Sequence, residues 1–346
     1  MESSGQSVSR KGLPVVAVNL PWIEGEYGHD FGLNINTPAW QPVFDVFQIT
    51  QLLLALKEHG ISVLRMWLFE QGEGLVVEDG KVIGLDAQFE KNLKALSTVL
   101  ESTSQKVYWT LFDMNSIHRN DDDLTRRVIF EPIMRHSFLN NALAPALAIL
   151  KSSVWGVDVC NEPEGMPTRE YHPYLKDMYG LDRFTGGLHW QTVISCLKSV
   201  LKFVRKLGFV ERISIGAGYT EGRNTVRRYA SVAHLMSHYD CHLYADFDDS
   251  FCLLSCQDEA RSLIVGELGT HSPLKTSGRG EWLRIQNIVC ERLERIIEYP
   301  VEAVFLWYVT SRSSTDPYSL FFNGESSPVL YKVGELARKG LIHVEP

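Results

Sequence analysis

Two hydrophobic patterns alternate along the chain. Short runs rich in Val, Ile and aromatic residues are followed by longer segments in which apolar residues recur every three or four positions. The short runs predict buried β-strands, and the longer segments predict amphipathic helices. Strands are predicted at residues 15–19, 62–67, 107–113, 154–159, 212–217, 239–244, 262–267 and 303–308.

Helical segments lie between these strands. The periodicity predicts helices over 44–59, 188–207 and 281–298, a helix that begins at Asp86, and one over 328–339 after the last strand. Asp86 suits an N-cap, and Gly208 suits the position after the helix over 188–207. Because each helix leads into the next strand, the sequence predicts an α/β fold, a (β/α)8 TIM barrel, as a single domain over 13–346 after a flexible N-terminus over 1–12.

Long irregular segments follow several predicted strands. They cover residues 21–40, 70–85, 116–125, 164–185 and 270–280. In a TIM barrel the loops after the strands form the C-terminal face, where active sites lie. We therefore expect extended βα loops around one functional site on that face.

Composition and charge narrow the classes of function. The 346 residues carry a formal net charge of −8, which disfavours binding to nucleic acid. No apolar segment approaches the ~18 residues of a membrane span, and the N-terminus lacks the basic start and long apolar centre of a secretory signal. We therefore expect a cytoplasmic protein with no membrane partner and with reduced thiols at its six cysteines. The oligomeric state is not predicted.

Polar and aromatic residues stand at the ends of most predicted strands. Alternation of side chains places Val63 and Arg65 on one face of strand two. It likewise places Val265 and Glu267 on one face of strand seven. Because the strand ends of a barrel meet at one mouth, we expect these residues to converge on one pocket. They are Arg65 in strand two, Asp113 and Asn115 at the end of strand three, Asn161 and Glu162 after strand four, His242 and Tyr244 in strand six, Glu267 in strand seven and Trp307 in strand eight.

The run Asn161-Glu162-Pro163 after an apolar strand resembles the acid/base motif of clan A glycoside hydrolases, the superfamily of cellulases and mannanases. Glycoside hydrolase family 5 is the most similar family. The likeness covers the strand ends over most of the chain, but not the loops. The other residues that carry it, in the same strand order, are Arg65, His242, Tyr244, Glu267 and Trp307.

The resemblance implies a retaining β-glycosidase that cleaves β-linked oligosaccharides or small glycosides by double displacement, without a cofactor or a metal ion. It assigns Glu162 as the acid/base and Glu267 as the nucleophile. Such an enzyme holds its two carboxyl groups ~5–5.5 Å apart across the scissile bond. At that separation like charges disfavour each other, so one carboxyl group keeps its proton near neutral pH.

The chemistry of the other side chains suggests their roles. Arg65 would pair with Glu267, and Tyr244 would donate a hydrogen bond to the same carboxylate. His242 would support Glu162. Asn161 would bond the 2-hydroxyl of the sugar. Trp307 would offer a flat apolar face to the sugar in the −1 position.

One departure from family 5 concerns strand three. The family often ends this strand with Asp-x-His, whereas this chain reads Asp113-Met114-Asn115. Asn115 can hydrogen-bond a hydroxyl group but carries no charge. Asp113 becomes a candidate ligand for substrate hydroxyls. The resemblance therefore does not predict that this chain shares the substrate of the cellulases.

Other functions stay open at this point. The barrel could bind carbohydrate without cleaving it, although a binding module has no need for two carboxylates and Arg65. It could pass the sugar to an acceptor instead of water, which the sequence does not separate from hydrolysis. It could also be a metal-dependent enzyme, although the sequence shows no His-x-His or carboxylate cluster with ligand spacing. The sugar, and exo against endo action, are not predicted.

Overall fold

The computed structural model describes residues 12–25, 28–34, 41–113, 127–129, 131–165, 190–218, 228–244 and 261–344. Within these residues, eight parallel strands close into a barrel, which confirms the predicted (β/α)8 fold. Residues 1–11 of the predicted flexible N-terminus lie outside the described residues. The barrel strands are β1 (Val15–Leu20), β2 (Val63–Trp67), β3 (Lys106–Thr110), β4 (Val154–Asn161), β5 (Ile213–Ala217), β6 (His238–Leu243), β7 (Ser262–Leu268) and β8 (Val301–Leu306).

Helices flank the barrel between these strands. Leu139–Leu143 forms a π-helical turn that joins two of them. The helices with described bounds are α1 (Val46–Glu58), α2 (Ala87–Thr103), α3 (Pro132–Phe138), α4 (Ala144–Leu150), α5 (Trp190–Lys206), α6 (Arg279–Ile296) and α7 (Pro328–Arg338).

Local signals set several helix ends. Asp86 accepts hydrogen bonds from the backbone N–H groups of Gln88 and Phe89, so it caps α2 as predicted. Ser327 caps α7 in the same way. Gly208, which follows α5, has a φ angle of 95°, a conformation that favours glycine.

The strands bury both of their faces. In β1, Val16 and Val18 pack outwards in a large apolar layer that includes the helices, whereas Val15 and Ala17 point into the barrel. Parallel strands covered on both sides read as continuous apolar runs, which is why the sequence pattern located them. Inside the barrel the apolar cluster is made of Val15, Ala17, Val63, Tyr108, Trp155, Ile264, Ala303 and Phe305.

The prediction that residues 70–85 form an irregular segment was wrong in part. Strands Leu75–Glu78 and Lys81–Leu85 form an antiparallel hairpin. Its turn residues Asp79 and Gly80 both have positive φ angles, of 47° and 69°. An Asp-Gly pair between two apolar runs is a strong hairpin signal, and the interpretation of the segment as a loop overlooked it.

The prediction that Val265 and Glu267 lie on the same face of strand seven was also wrong. Val265 packs in the outer layer and Ile264 in the inner one. On the partner strand, Cys241 pairs with Val265 and His242 with Glu267, so Gly266 is an extra residue in β7. This bulge reverses the alternation and lets Glu267 point into the barrel. Strand β3 is shorter than predicted, and Asp113 pairs with Asn161 only as an isolated bridge.

The described cysteines are not paired with each other. Cys160, Cys196 and Cys241 are buried free thiols, and Cys290 is a half-buried one, as expected for reduced residues. Cys252 and Cys256 lie outside the described residues. Among the helices that the structure describes, none has the length and apolar character needed to cross a bilayer.

A polar cluster closes the N-terminal end of the barrel. Glu302 accepts hydrogen bonds from Arg212 at 2.8 Å and from His238 at 2.7 Å. The guanidinium of Arg212 also lies 4.4 Å from the ring centre of Trp155. Burial by itself raises the pKa of Glu302, but its bonds to His238 and Arg212 outweigh this and hold the pKa at about 2.

We predict that Glu302→Gln lowers the free energy of unfolding by about 1–3 kcal/mol at pH 7. The folded-state pKa lies below the unfolded value, so the carboxylate stabilises the protein fully above pH ~5. This contribution is lost as the pH falls towards 2. Urea denaturation should therefore show a larger difference between wild type and variant at pH 7 than at pH 4. A difference that grows on acidification would contradict the assignment.

Candidate active site

Two carboxyl groups face each other at the C-terminal mouth of the barrel. Glu162 follows β4, and Glu267 lies near the end of β7. One oxygen from each of them and one ring nitrogen of His242 all lie within 4.8 Å of one another. The closed sheet produces this meeting, because β4 and β7 are separated by two strands around the barrel.

Arg65 occupies the floor of this mouth and is 1% exposed. Its Nη1 donates to Glu267 Oε1 at 2.7 Å and to Asn19 Oδ1 at 3.0 Å. Its Nη2 donates to Asp158 Oδ2 at 2.8 Å and to Asn161 Oδ1 at 2.7 Å. A buried guanidinium is stable only with such partners. Four acceptors from strands β1, β4 and β7 therefore fix its orientation.

Asp158 and Asn19 hold Arg65 from below. Asp158 is fully buried and also accepts from the backbone N–H groups of Cys160 and Gly216, at 3.1 and 2.8 Å. Asn19 donates to the carbonyl of Gly266 at 3.0 Å, directly before Glu267. Neither residue was predicted as part of the site. Each is a polar residue within an apolar strand, and that pattern was the available signal.

Both oxygens of Glu267 accept hydrogen bonds. Oε1 accepts from Arg65, and Oε2 accepts from the hydroxyl of Tyr244 at 2.5 Å. His242 Nδ1 lies 3.5 Å from Oε2. Burial raises the pKa of Glu267 above its ordinary value, while the positive charge of Arg65 opposes that rise. The contact with a guanidinium favours the ionised form of this carboxyl group.

Glu162 has a different environment. Its Oε1 shares a hydrogen bond of 2.8 Å with His242 Nδ1, and its side chain is 15% exposed. Burial and the charge of Asp113 raise its pKa to about 8. Burial lowers the pKa of His242 to about 4, so the ring is neutral at pH 7. Glu162 therefore keeps its proton near neutral pH. Glu267, which contacts Arg65, ionises more readily than Glu162.

The backbone at Glu162 adopts an unusual conformation. Its φ angle is 47°, in the left-handed region that few residues other than glycine occupy. Its N–H donates to the carbonyl of Gly216 at 2.7 Å, which holds the turn. The side chain then lies over Gly218, where a Cβ atom would overlap with the Glu162 carboxyl group. Gly218 therefore provides the space that this carboxyl group occupies.

Asn161 links the two halves of the site. Its Oδ1 accepts from Arg65, and its Nδ2 donates to Asp113 Oδ1 at 2.9 Å. Asp113 is 2% exposed. The structure therefore places the Asp113 carboxylate against the Asn161 amide.

Aromatic rings form one wall of the mouth. Trp307 is half-buried and packs edge-on against Tyr244 and Trp22, each with ring centres 5.9 Å apart. Trp67 lies 5.9 Å from Trp307 and 5.5 Å from Trp22, and it is buried. Trp22 was only a weak candidate from the sequence, but its half-buried ring beside Trp307 places it in this wall.

The mouth therefore brings together most of the residues singled out in the sequence. Asn115 lies outside the described residues. The residues that meet at the mouth are Arg65, Asp113, Asn161, Glu162, His242, Tyr244, Glu267 and Trp307.

The same three groups also form a candidate metal site. Glu162, His242 and Glu267 each offer one ligand atom within the 4.8 Å cluster. However, Arg65 and Tyr244 already bind the two oxygens of Glu267, and the guanidinium stands where it would repel a cation. The donor set therefore fits a carboxyl pair better than a metal centre.

The fold and the site define a (β/α)8 barrel with paired carboxyl groups at its C-terminal mouth. Among solved structures, the chain is similar to the β-mannanase of the blue mussel Mytilus edulis, at 15% identity over 96% of this chain and 94% of that one, with a TM-score of 0.67. It is similar to the β-1,4-mannanase of the sea hare Aplysia kurodai, at 16% identity over 94% and 92%, with a TM-score of 0.64.

A third similar structure is the GH5_18 protein of Streptomyces cattleya in complex with Manβ1-4GlcNAc. The identity is 13% over 94% of this chain and 80% of that one, with a TM-score of 0.64. No family model and no curated protein matches the sequence. At these identities the likeness concerns the fold, and at that level it confirms the resemblance to family 5 found in the sequence.

We predict that Arg65→Met lowers the free energy of unfolding by about 3–5 kcal/mol, because Asp158 and Glu267 would stay buried without their cation. Urea denaturation measures this loss. The double variant Arg65→Met/Asp158→Asn should be less damaged than the sum of its single changes. The matched control Arg338→Met removes an exposed guanidinium and should change stability by less than ~0.5 kcal/mol. Equal losses in the two Met variants would disprove the role of Arg65.

Proposed function

We propose that this protein is a retaining β-glycoside hydrolase, in which Glu162 is the acid/base and Glu267 the nucleophile. The observation that carries the proposal is the pair of carboxyl groups, close together but in unequal environments. One oxygen of Glu162 lies within 4.8 Å of one oxygen of Glu267, which favours the ~5–5.5 Å separation of the carboxyl groups in retaining enzymes over the ~6.5–9.5 Å of inverting ones.

In the first step a carboxylate oxygen of Glu267 attacks the anomeric carbon from the face opposite the leaving group. The glycosidic C–O bond breaks, and the Glu162 proton goes to the leaving oxygen. Its raised pKa, about 8, keeps that proton available at neutral pH. The sugar is then joined to Glu267 as an ester, and Glu162 is ionised.

In the second step Glu162 accepts a proton from water. The water oxygen bonds to the anomeric carbon, and the ester bond to Glu267 breaks with its electron pair returning to the carboxylate. Two inversions give net retention. Arg65 and Tyr244 hold the carboxylate before and after the reaction through hydrogen bonds of 2.7 and 2.5 Å.

Substrate recognition is proposed for the remaining groups. Asn161 would donate to the 2-hydroxyl, and Trp307 would pack against the C–H face of the sugar in the −1 position. The mannanases and the Manβ1-4GlcNAc complex among the similar folds make β-mannosides the first substrates to test. The predicted cytoplasmic location would favour short oligosaccharides over insoluble polymers, because a polymer could not enter.

Glycosyl transfer is the second candidate. It shares the first step and the covalent glycosyl-enzyme with hydrolysis, so the geometry of the site favours both reactions equally until an acceptor sugar or water reacts. Product analysis at high acceptor concentration separates it from hydrolysis. Binding without cleavage would give affinity with no turnover across a panel of glycosides. A metal-dependent reaction would be sensitive to chelators.

We predict that Glu267→Ala lowers turnover of an aryl β-glycoside by on the order of 10⁴-fold or more, because no covalent intermediate can form. Azide should restore part of the rate and give a glycosyl azide of inverted configuration, which proton NMR identifies. Wild-type hydrolysis, followed by the same method, should release the β-anomer first. Undiminished activity in the variant would rule out Glu267 as the nucleophile.

Glu162→Ala provides the matched comparison. Loss of the acid should slow substrates with poor leaving groups far more than an activated aryl glycoside, since the latter needs no proton. A uniform slowing of both substrates would argue against general acid catalysis by Glu162.

We predict that Gly218→Ala lowers kcat by ~10²-fold or more, because the added Cβ must displace the Glu162 carboxyl group. The matched control is Gly280→Ala in α6, where a Cβ meets no heavy atom within 4 Å. It should keep wild-type kcat. Urea midpoints of both variants show whether folding is intact. Normal kcat in a folded Gly218→Ala variant would contradict the proposed placement of Glu162.

A further inference from the structure

Asp113 is buried next to the proposed acid/base, on the loop that follows β3. It is 2% exposed, and its Oδ1 accepts a hydrogen bond of 2.9 Å from Asn161 Nδ2. The two residues also pair through an isolated parallel bridge, and the N–H of Asn161 donates to the carbonyl of Phe112 at 2.8 Å. Backbone and side chain together hold Asp113 against the residue that precedes Glu162.

We propose that Asp113 is a positioning residue: it fixes the plane of the Asn161 amide so that one N–H faces the substrate, and its negative charge acts on the Glu162 carboxyl group. The inference rests on the proposed function and deepens it. It replaces the expectation from the sequence that Asp113 binds substrate hydroxyls itself.

The orientation of the Asn161 amide follows from its two neighbours. Arg65 only donates, so Oδ1 must face it, and the carboxylate of Asp113 receives Nδ2. A single bond at Oδ1 would leave the amide free to rotate about that contact, but a second bond at Nδ2 fixes its plane. One of the two N–H groups on Nδ2 then stays for a hydroxyl group of the substrate.

Several charged or titratable groups surround Glu162. Asp158 is bound to Arg65 at 2.8 Å, so the effects of these two opposite charges on Glu162 oppose each other. Asp113 binds a neutral amide through Oδ1, and after burial its charge is the largest influence that raises the pKa of Glu162. Among the described residues, the titratable groups that face Glu162 are neutral His242 from β6, Tyr244 after β6, Glu267 from β7, Arg65 from β2, Asp158 from β4, Asp113 after β3 and Glu164 after β4.

Two variants separate the charge from the hydrogen bond. Asp113→Asn keeps an oxygen that can accept from Asn161 but removes the charge. The alkaline limb of its kcat/KM profile should move to lower pH by about one unit, with kcat at the optimum within ~10-fold of wild type. Asp113→Ala should show the same shift and, in addition, a ~10–100-fold loss of kcat on the parent β-glycoside.

The additional loss in Asp113→Ala should largely disappear with the 2-deoxy analogue, because that substrate lacks the hydroxyl that Asn161 would contact. The control Asp86→Asn removes a carboxylate at a helix N-terminus where Asn also caps well, and it should leave the profile unchanged. An unmoved alkaline limb in Asp113→Asn would overturn the role of the charge. An equal loss on the 2-deoxy substrate would overturn the role through Asn161.

The charge can also be tested without turnover. Carbon-13 NMR of the glutamate carboxyl groups should show one resonance, absent in Glu162→Gln, whose midpoint falls by about one pH unit in Asp113→Asn. If the wild-type protein cleaves no glycoside, the proposed function fails, and this titration still decides whether Asp113 acts on Glu162. An unchanged midpoint would refute that action.

Discussion

The buried guanidinium of Arg65 is the constraint on which the site depends. Taking this charge out of water is unfavourable unless acceptors surround it. The barrel provides them from three other strands, as Glu267, Asn19, Asp158 and Asn161. These partners can meet only if the sheet closes in the observed register. The arrangement of the carboxyl groups is therefore coupled to the folding of the barrel.

This single cation also makes the two carboxyl groups unequal. Glu267 contacts it directly, whereas Glu162 contacts a neutral imidazole and lies near the charge of Asp113. Two residues of the same type thus acquire different proton affinities from their surroundings alone. A double displacement needs this difference, because one carboxyl group must give up a proton while the other attacks as an anion.

Local backbone geometry supports the arrangement at two points. A positive φ angle turns Glu162 out of β4, and Gly218 leaves space for its side chain. In β7, the bulge at Gly266 turns Glu267 inwards, and the missing side chain of this glycine leaves room for the buried carboxyl group of Asp240. Strained or irregular backbone of this kind persists where the surrounding structure holds it, and it is typical of functional sites.

The eight strands, the order of their ends and most of the residues at the mouth can be read from the amino-acid pattern alone, because parallel strands buried on both faces form clear apolar runs and polar residues interrupt these runs visibly. The pattern did not reveal Asn19, Asp158 or Gly218, whose roles depend on neighbours distant in the chain. The sequence predicted that Glu267 points into the barrel, but this prediction assumed a regular alternation of side chains along β7. The bulge at Gly266 breaks that alternation. The acceptors that Arg65 binds, and the carboxyl group that keeps its proton, follow from the folded barrel, since both depend on distances between residues that lie far apart in the chain.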